Sequence, residues 1–140
     1  MKLQWTREDD TRAGWYRPLY LHRLRAGVDA SGKPVAWEHR IVGQSIATGT
    51  AFEPMLVKDG VDQTSVEGAA NLPYSIPNIL VDLHSPVLGV PVQWWRSVGS
   101  THTAFATECL IDALAATAAR AAEDDRMELR HGRPRPRAPF

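Results

Sequence analysis

Six consecutive residues, Trp94-Trp95-Arg96-Ser97-Val98-Gly99, bring together side chains that could do chemistry. They follow a short apolar run, Val90-Pro91-Val92, and lead through Ser100 and Thr101 into a long helical pattern. This reads as strand, turn, helix. A helix start at such a junction leaves backbone N–H groups unpaired and carries the positive end of the helix dipole, which suits an anion. Arg96 beside it adds a fork of donors matched to phosphate, carboxylate or an oxo group. The competing reading is structural: a Ser or Thr N-cap on a core helix, with Trp94 and Trp95 packed beneath it.

Other reactive residue types are scattered. His22 and His39 fall on one face of a hairpin and could share a metal, but a zinc site wants three or four ligands and no third is evident, so satisfied histidines are the default and no metal site is assigned. Thr6-Arg7-Glu8-Asp9-Asp10 concentrates carboxylates, yet consecutive acids splay apart and read as a solvated turn. Glu108 and Asp112 lie four apart on a helix; both are solvated, or one meets a cation such as Arg96.

The elements that must position these groups follow from periodicity. Two alternating runs between Tyr16 and Ser45 flank Ala30-Ser31-Gly32-Lys33, a hairpin signal. Pairing Ala30 with Lys33 sets Val28 opposite Val35, Ala26 opposite Trp37, Leu24 opposite His39 and His22 opposite Ile41, which makes one apolar face. Arg25 then meets Glu38 on the other face, and Arg23 meets Arg40. Leu3-Gln4-Trp5 reads as a short strand, as does Ile79 to His84. Residues 44–78 are punctuated by glycine and proline and read as irregular, with a short helix or turn between Val61 and Ala70. Thr103 to Ala122 is the clearest helix, with Ala106, Cys109, Leu110, Ala113, Leu114 and Thr117 as its apolar stripe and Cys109 buried.

Bulk properties bound the function. The 140 residues suffice for one domain with a core, and 44% apolar with 23% charged residues is ordinary for a globular chain. Sixteen basic and sixteen acidic residues cancel, so no net field is directed at nucleic acid or a membrane. One cysteine rules out an internal disulfide, and neither an export signal nor a membrane-spanning run is present, so the location is cytoplasmic by default. Residues 123–140, rich in arginine and proline, read as a disordered basic tail after a folded part of residues 1–122.

Trp94-Trp95-Arg96-Ser97-Val98-Gly99, followed by Ala104-Phe105-Ala106-Thr107-Glu108 and Ile111-Asp112, resembles the large, molybdopterin-binding subunit of the xanthine dehydrogenase/aldehyde oxidase family, in its isoquinoline 1-oxidoreductase beta-subunit branch. Thr6-Arg7-Glu8-Asp9-Asp10 and Tyr74-Ser75-Ile76-Pro77-Asn78 match the same pattern upstream, in the same order. The paired apolar faces predict an α/β (α+β) fold, a hairpin and short strands packed on one long helix, and the resemblance implies that it forms part of a larger molybdopterin-binding domain. It implies hydroxylation of N-heterocycles or aldehydes with water as the oxygen source, on a molybdenum–molybdopterin cofactor of the cytosine dinucleotide type. Its partners would be a 2Fe–2S small subunit and the remainder of the large subunit. Carried over by position, Trp95 and Arg96 are the catalytic candidates, and backbone N–H groups of Ser97, Val98 and Gly99 face the cofactor. Val98 stands where many members carry a stacking Phe. The family's catalytic glutamate, in a late Gly-x-Gly-Glu segment, has no counterpart in these residues, so the expectation is a fragment inactive alone. The alternative is a non-catalytic remnant or an anion- or cofactor-binding domain.

Overall fold

The computed structural model describes residues 1–118 and 122–131. Its centre is a three-stranded sheet in the order β1-β2-β5, made of β1 (Tyr20–Val28), β2 (Pro34–Gly43) and β5 (Asn78–His84). Helices α4 (Ser100–Thr117) and α5 (Ala122–His131) pack together, with α4 against β1. The fold is α+β, as the sequence implies.

The hairpin forms as its alternating pattern dictates. Ala26 lies opposite Trp37, Leu24 opposite His39, His22 opposite Ile41, and Arg25 opposite Glu38 at 3.9 Å between charged atoms. The turn differs from the expected one. Asp29 accepts hydrogen bonds at its carboxylate from the Ser31 and Lys33 amides (2.8 and 3.0 Å), and Gly32 takes φ +82°. That Asp-centred turn shifts the register after Gly27, so Val28 meets Pro34 rather than Val35. Arg40, placed against Arg23 by the register, turns instead to Asp82 on β5, with Nε–Oδ2 at 2.8 Å and Nη2–Oδ2 at 2.6 Å.

β5 runs parallel to β2, which sets His39 beside Val81 and Ile41 beside Leu83. A parallel pair needs a long crossover, and the irregular residues 44–77 provide it. They carry α2 (Glu53–Leu56), β3 (Val57–Lys58), β4 (Val61–Asp62) and α3 (Gln63–Val66). Two clusters fill the space between this crossover, the sheet and the helices: Trp37, Leu72, Tyr74, Ile76, Ile111 and Leu129 in one, and Ile41, Val66 and Ala69 in the other.

Four expectations are corrected. Residues 3–5 form no strand; instead α1 (Arg7–Ala13) begins on a capping box, in which Thr6 and Asp9 exchange hydrogen bonds at 3.2 and 3.3 Å. The run before Trp94 is reduced to one isolated parallel bridge between Val92 and Tyr16. The buried face of α4 is Thr103, Ala106, Thr107, Ile111 and Ala115, so Cys109 is exposed. The stripe through Cys109, Leu110 and Leu114 is rotated from the face that the structure buries, because small residues such as Ala and Thr, which packing also accepts, give spacing little to choose a side by.

The fourth concerns the tail. Residues 122–131 are helical, and Leu129 is 4% exposed within the larger cluster, while its carbonyl accepts from the Ser75 amide at 3.0 Å. Residues 132–140 lie outside the described part. Arg126 reaches back to α4, bonding Glu108 (Nε–Oε2 2.9 Å) and Asp112 (Nη2–Oδ1 2.5 Å). The cation that relieves this like-charge pair is therefore Arg126, not Arg96. The expected result of Leu129→Ala is a loss of about 2–5 kcal/mol, the usual cost of emptying a buried leucine site. Urea denaturation checks it, and a loss below that range would mean that α5 is not part of the cooperative unit. Among the described residues, no helix is long and apolar enough to cross a membrane.

Candidate functional site

The Trp94–Gly99 loop is fixed from both sides. Upstream, the Tyr16 amide donates to the Pro91 carbonyl and the Gln93 amide to the Tyr16 carbonyl, both at 3.0 Å. This lays residues 15–18 alongside the loop. Trp94 packs edge-on against Phe52, with ring centres 5.2 Å apart, and the Arg17 guanidinium lies 5.6 Å over the Trp95 ring. Downstream, the Gly99 amide donates to Glu67 Oε2 at 3.2 Å, and Thr103 Oγ1 donates to the Glu67 carbonyl at 2.7 Å. The segment after α3 thus grips the first turn of α4.

Between these anchors the chain makes a tight turn. Ser97 and Val98 both have positive φ, +69° and +45°, a conformation costly for a β-branched residue such as Val98. The Val98 amide donates to the Trp95 carbonyl at 3.0 Å, and Thr101 Oγ1 caps the Arg96 carbonyl at 2.5 Å.

These contacts revise the expected direction of the amides. Of the three, Val98 is used inside the turn and Gly99 is taken by a carboxylate of the same chain; only Ser97 has no partner among the described residues. Glu67 supplies the negative charge that the start of α4 favours. Gly99 itself is the helix N-cap, with no side-chain cap. Arg96 is exposed, as expected, and no ion pair to it is present among the described residues.

Under the loop is a cavity of about 190 Å³, lined by Trp95, Val98 and Gly99 from the expected set, together with Arg17, Tyr20 and His102 among others. Arg96 and Ser97 stand outside it, on the exposed side of the turn. Sequence reasoning missed Arg17 and His102. The bridge between Tyr16 and Val92 is what brings Arg17 to Trp95, and no local pattern announces a contact between segments so far apart in the chain.

Behind the cavity, three imidazoles form a chain. His22 Nδ1 lies 2.8 Å from His39 Nε2, and His22 Nε2 lies 3.1 Å from His102 Nδ1. The hairpin register explains the first contact; the third ring arrives on α4. Tyr20 stacks on His102, with ring centres 3.7 Å apart, and its hydroxyl shares a hydrogen bond with Ser65 Oγ at 2.9 Å. Ser65 in turn reaches the buried Asp62 carboxylate, which also accepts from Ser45 Oγ at 2.5 Å. The two outer ring nitrogens, His39 Nδ1 and His102 Nε2, are buried without a partner among the described residues. Burial, reinforced by the neighbouring His22, lowers both rings to a pKa of about 4; burial lowers that of His22 as well. All three are neutral at pH 7. Each end of the chain uses a different nitrogen of His22, so the three rings do not converge on one point as ligands of a single ion must.

The family model described as molybdopterin cofactor-binding domain matches residues 1–130. A search of curated proteins finds no match to the chain.

Proposed function

Because the chain belongs to the molybdopterin cofactor-binding domain family, we propose that it forms one wall of the catalytic subunit of a molybdenum hydroxylase, of the isoquinoline 1-oxidoreductase type, acting on N-heterocycles or aldehydes. The observation that carries this reading is the strained turn at Ser97 and Val98, which leaves Arg96 exposed and the Ser97 amide without a partner among the described residues, on the outer side of the turn. Backbone strain of this kind persists where the surrounding structure holds a functional geometry in place.

The residues fit the anionic part of such a cofactor and not its enclosure. Arg96 and the Ser97 N–H would hold its negatively charged oxygens, with Arg96 also placed to stabilise charge that develops on a substrate. A cavity of about 190 Å³ does not surround a pterin dinucleotide. When bound, the group supplies the redox and oxygen-transfer chemistry; the chain contributes orientation and positive charge. The rest of the enclosure, on this reading, comes from other parts of the large subunit and from a 2Fe–2S partner. The many exposed large apolar side chains support that arrangement, among them Trp15, Leu19, Val87, Trp95 and Phe105, the last 76% exposed.

One observation favours the second reading, a non-catalytic cofactor- or anion-binding domain. No acidic side chain lines the cavity among the described residues, and Glu108 is committed to the Tyr74 hydroxyl at 2.8 Å and to Arg126. A general base must be within hydrogen-bond reach of its substrate. The chain alone is therefore expected to bind cofactor without turning over.

Expression in a host that makes the cofactor, followed by metal and pterin analysis, tests this. The expected result is retained molybdenum that falls roughly tenfold in Arg96→Ala, since a charge-assisted contact is worth about 1.5–3 kcal/mol, with no dye reduction in either form. Retention indifferent to Arg96 would sink the assigned role of the turn. Turnover that disappears on Arg96→Ala would make the chain a minimal enzyme.

A further inference from the structure

The cavity itself has chemistry that the cofactor reading leaves unused. Its walls are flat and largely apolar: Trp95 on one segment, the stacked Tyr20 and His102 on two others, with Leu19 and Val98. A cavity of about 190 Å³ has the size for a single ring; one of roughly 150 Å³ already takes benzene. Among the described residues the only formal charge in its lining is Arg17, because His102 is neutral at pH 7 and no acidic side chain contributes. Arg17 is solvent-exposed while lining the cavity, which places it at the rim, and it makes no ion pair among the described residues. The Trp95 ring beneath its guanidinium, at 5.6 Å, holds it there through a cation–π contact that leaves the N–H edge free to meet a carboxylate. Gln93 at the same wall spends its side-chain oxygen on the Trp94 amide at 3.2 Å, so its NH₂ group is what remains to offer, a second donor.

We propose that this cavity binds a small monocyclic carboxylate, with the ring between Trp95 and the Tyr20–His102 pair and the carboxylate on Arg17. The inference goes beyond the cofactor reading and does not depend on it, since Arg96 and Ser97 stand outside the cavity. A ring without the charge loses Arg17, and an anion without the ring leaves the aromatic walls wet. Affinity therefore requires both parts.

The test uses the full 140-residue chain without cofactor, titrated with benzoate, benzamide and inorganic phosphate while the Trp95 indole N–H and Gly99 amide are followed by NMR. Benzoate is expected to saturate both signals, with benzamide and phosphate each at least about tenfold weaker. Arg17→Gln is expected to weaken benzoate about tenfold, leave benzamide unchanged and leave the thermal midpoint where it was. Four results would each overturn the proposal: no saturable shift with benzoate, benzamide binding as tightly, phosphate binding as tightly, or benzoate affinity indifferent to Arg17. Loss of molybdenum retention in Arg96→Ala bears on the turn alone, so the two readings fail separately.

Discussion

Acidification from pH 7 to about 4.5 is expected to destabilise the chain steeply, with the fall beginning near 6.5, above the range in which carboxylates titrate. The cause is the imidazole chain behind the cavity. Three neutral rings share three protons among six nitrogens; two protons sit in the His39–His22 and His22–His102 hydrogen bonds, and the third sits at one buried end without a partner. A further proton would add a charge and a second orphaned N–H at the opposite end, with no acceptor for it. The folded state therefore refuses that proton until pH is near 4, whereas an unfolded histidine takes it near 6.5. Because the unfolded state binds more protons in this interval, stability is full above about 6.5 and falls as pH drops toward 4. His39 is 0% exposed, and a lowering from 6.5 to about 4 corresponds to a loss on the order of 3 kcal/mol from that residue alone.

Urea midpoints measured between pH 7 and 4.5 check this, with His39→Gln as the comparison. The variant is expected to be less stable at pH 7, since it breaks the hydrogen bond to His22, and to show a much shallower fall with acid. Equal slopes for the two proteins would mean that the histidines are not the titrating groups. Tyr20 belongs to the same account: burial raises its pKa, so its hydroxyl stays protonated, free to donate to the Gln44 carbonyl at 3.3 Å.

What the sequence made legible was local, and what it concealed was long-range. The hairpin register could be read because its side-chain alternation has a period of two and a slip of one residue would expose the whole apolar face. The turn was misplaced because the deciding group, the Asp29 carboxylate, bonds the backbone two and four residues on, which alternation does not report. The run of acids at residues 8–10 reads as a solvated turn, whereas in the structure Asp9 closes a capping box with Thr6. At the candidate site, exposure of Arg96 and the approach of His22 to His39 followed from the sequence. The third histidine, the Arg17–Trp95 contact and the Glu67 carboxylate on α4 did not, because each joins segments that only the crossover and the Tyr16–Val92 bridge bring together.

Gly99 shows this most sharply, and it carries the second large expected effect. In the sequence it is the last residue of an anion-binding turn, and glycine there reads as freedom for the backbone to approach a ligand. In the structure its φ is −64°, which any residue adopts, so flexibility is not the reason for it. A Cβ at position 99 would stand 2.2 Å from the Thr64 carbonyl oxygen and 2.7 Å from Glu67 Cβ. One of those atoms is backbone and cannot swing away. Gly99→Ala is therefore expected to force the segment after α3 off the start of α4, breaking the Gly99–Glu67 hydrogen bond and the Thr103 contact to the Glu67 carbonyl. Overpacking at a site of this kind costs about 1–3 kcal/mol, and the lost hydrogen bond to a charged group adds about 1.5–3 kcal/mol. Gly89, with nothing within 4 Å of an added Cβ, is the control and its alanine variant is expected to be neutral. Glu67→Gln separates the two contributions, since it keeps the shape of the contact and removes its charge; it should cost less than Gly99→Ala and leave the NMR signals of the Trp95 indole and Val98 amide in place. A Gly99→Ala variant as stable as Gly89→Ala would show that the grip of the α3 segment on α4 does not position the loop, and the cavity beneath it would then need another explanation.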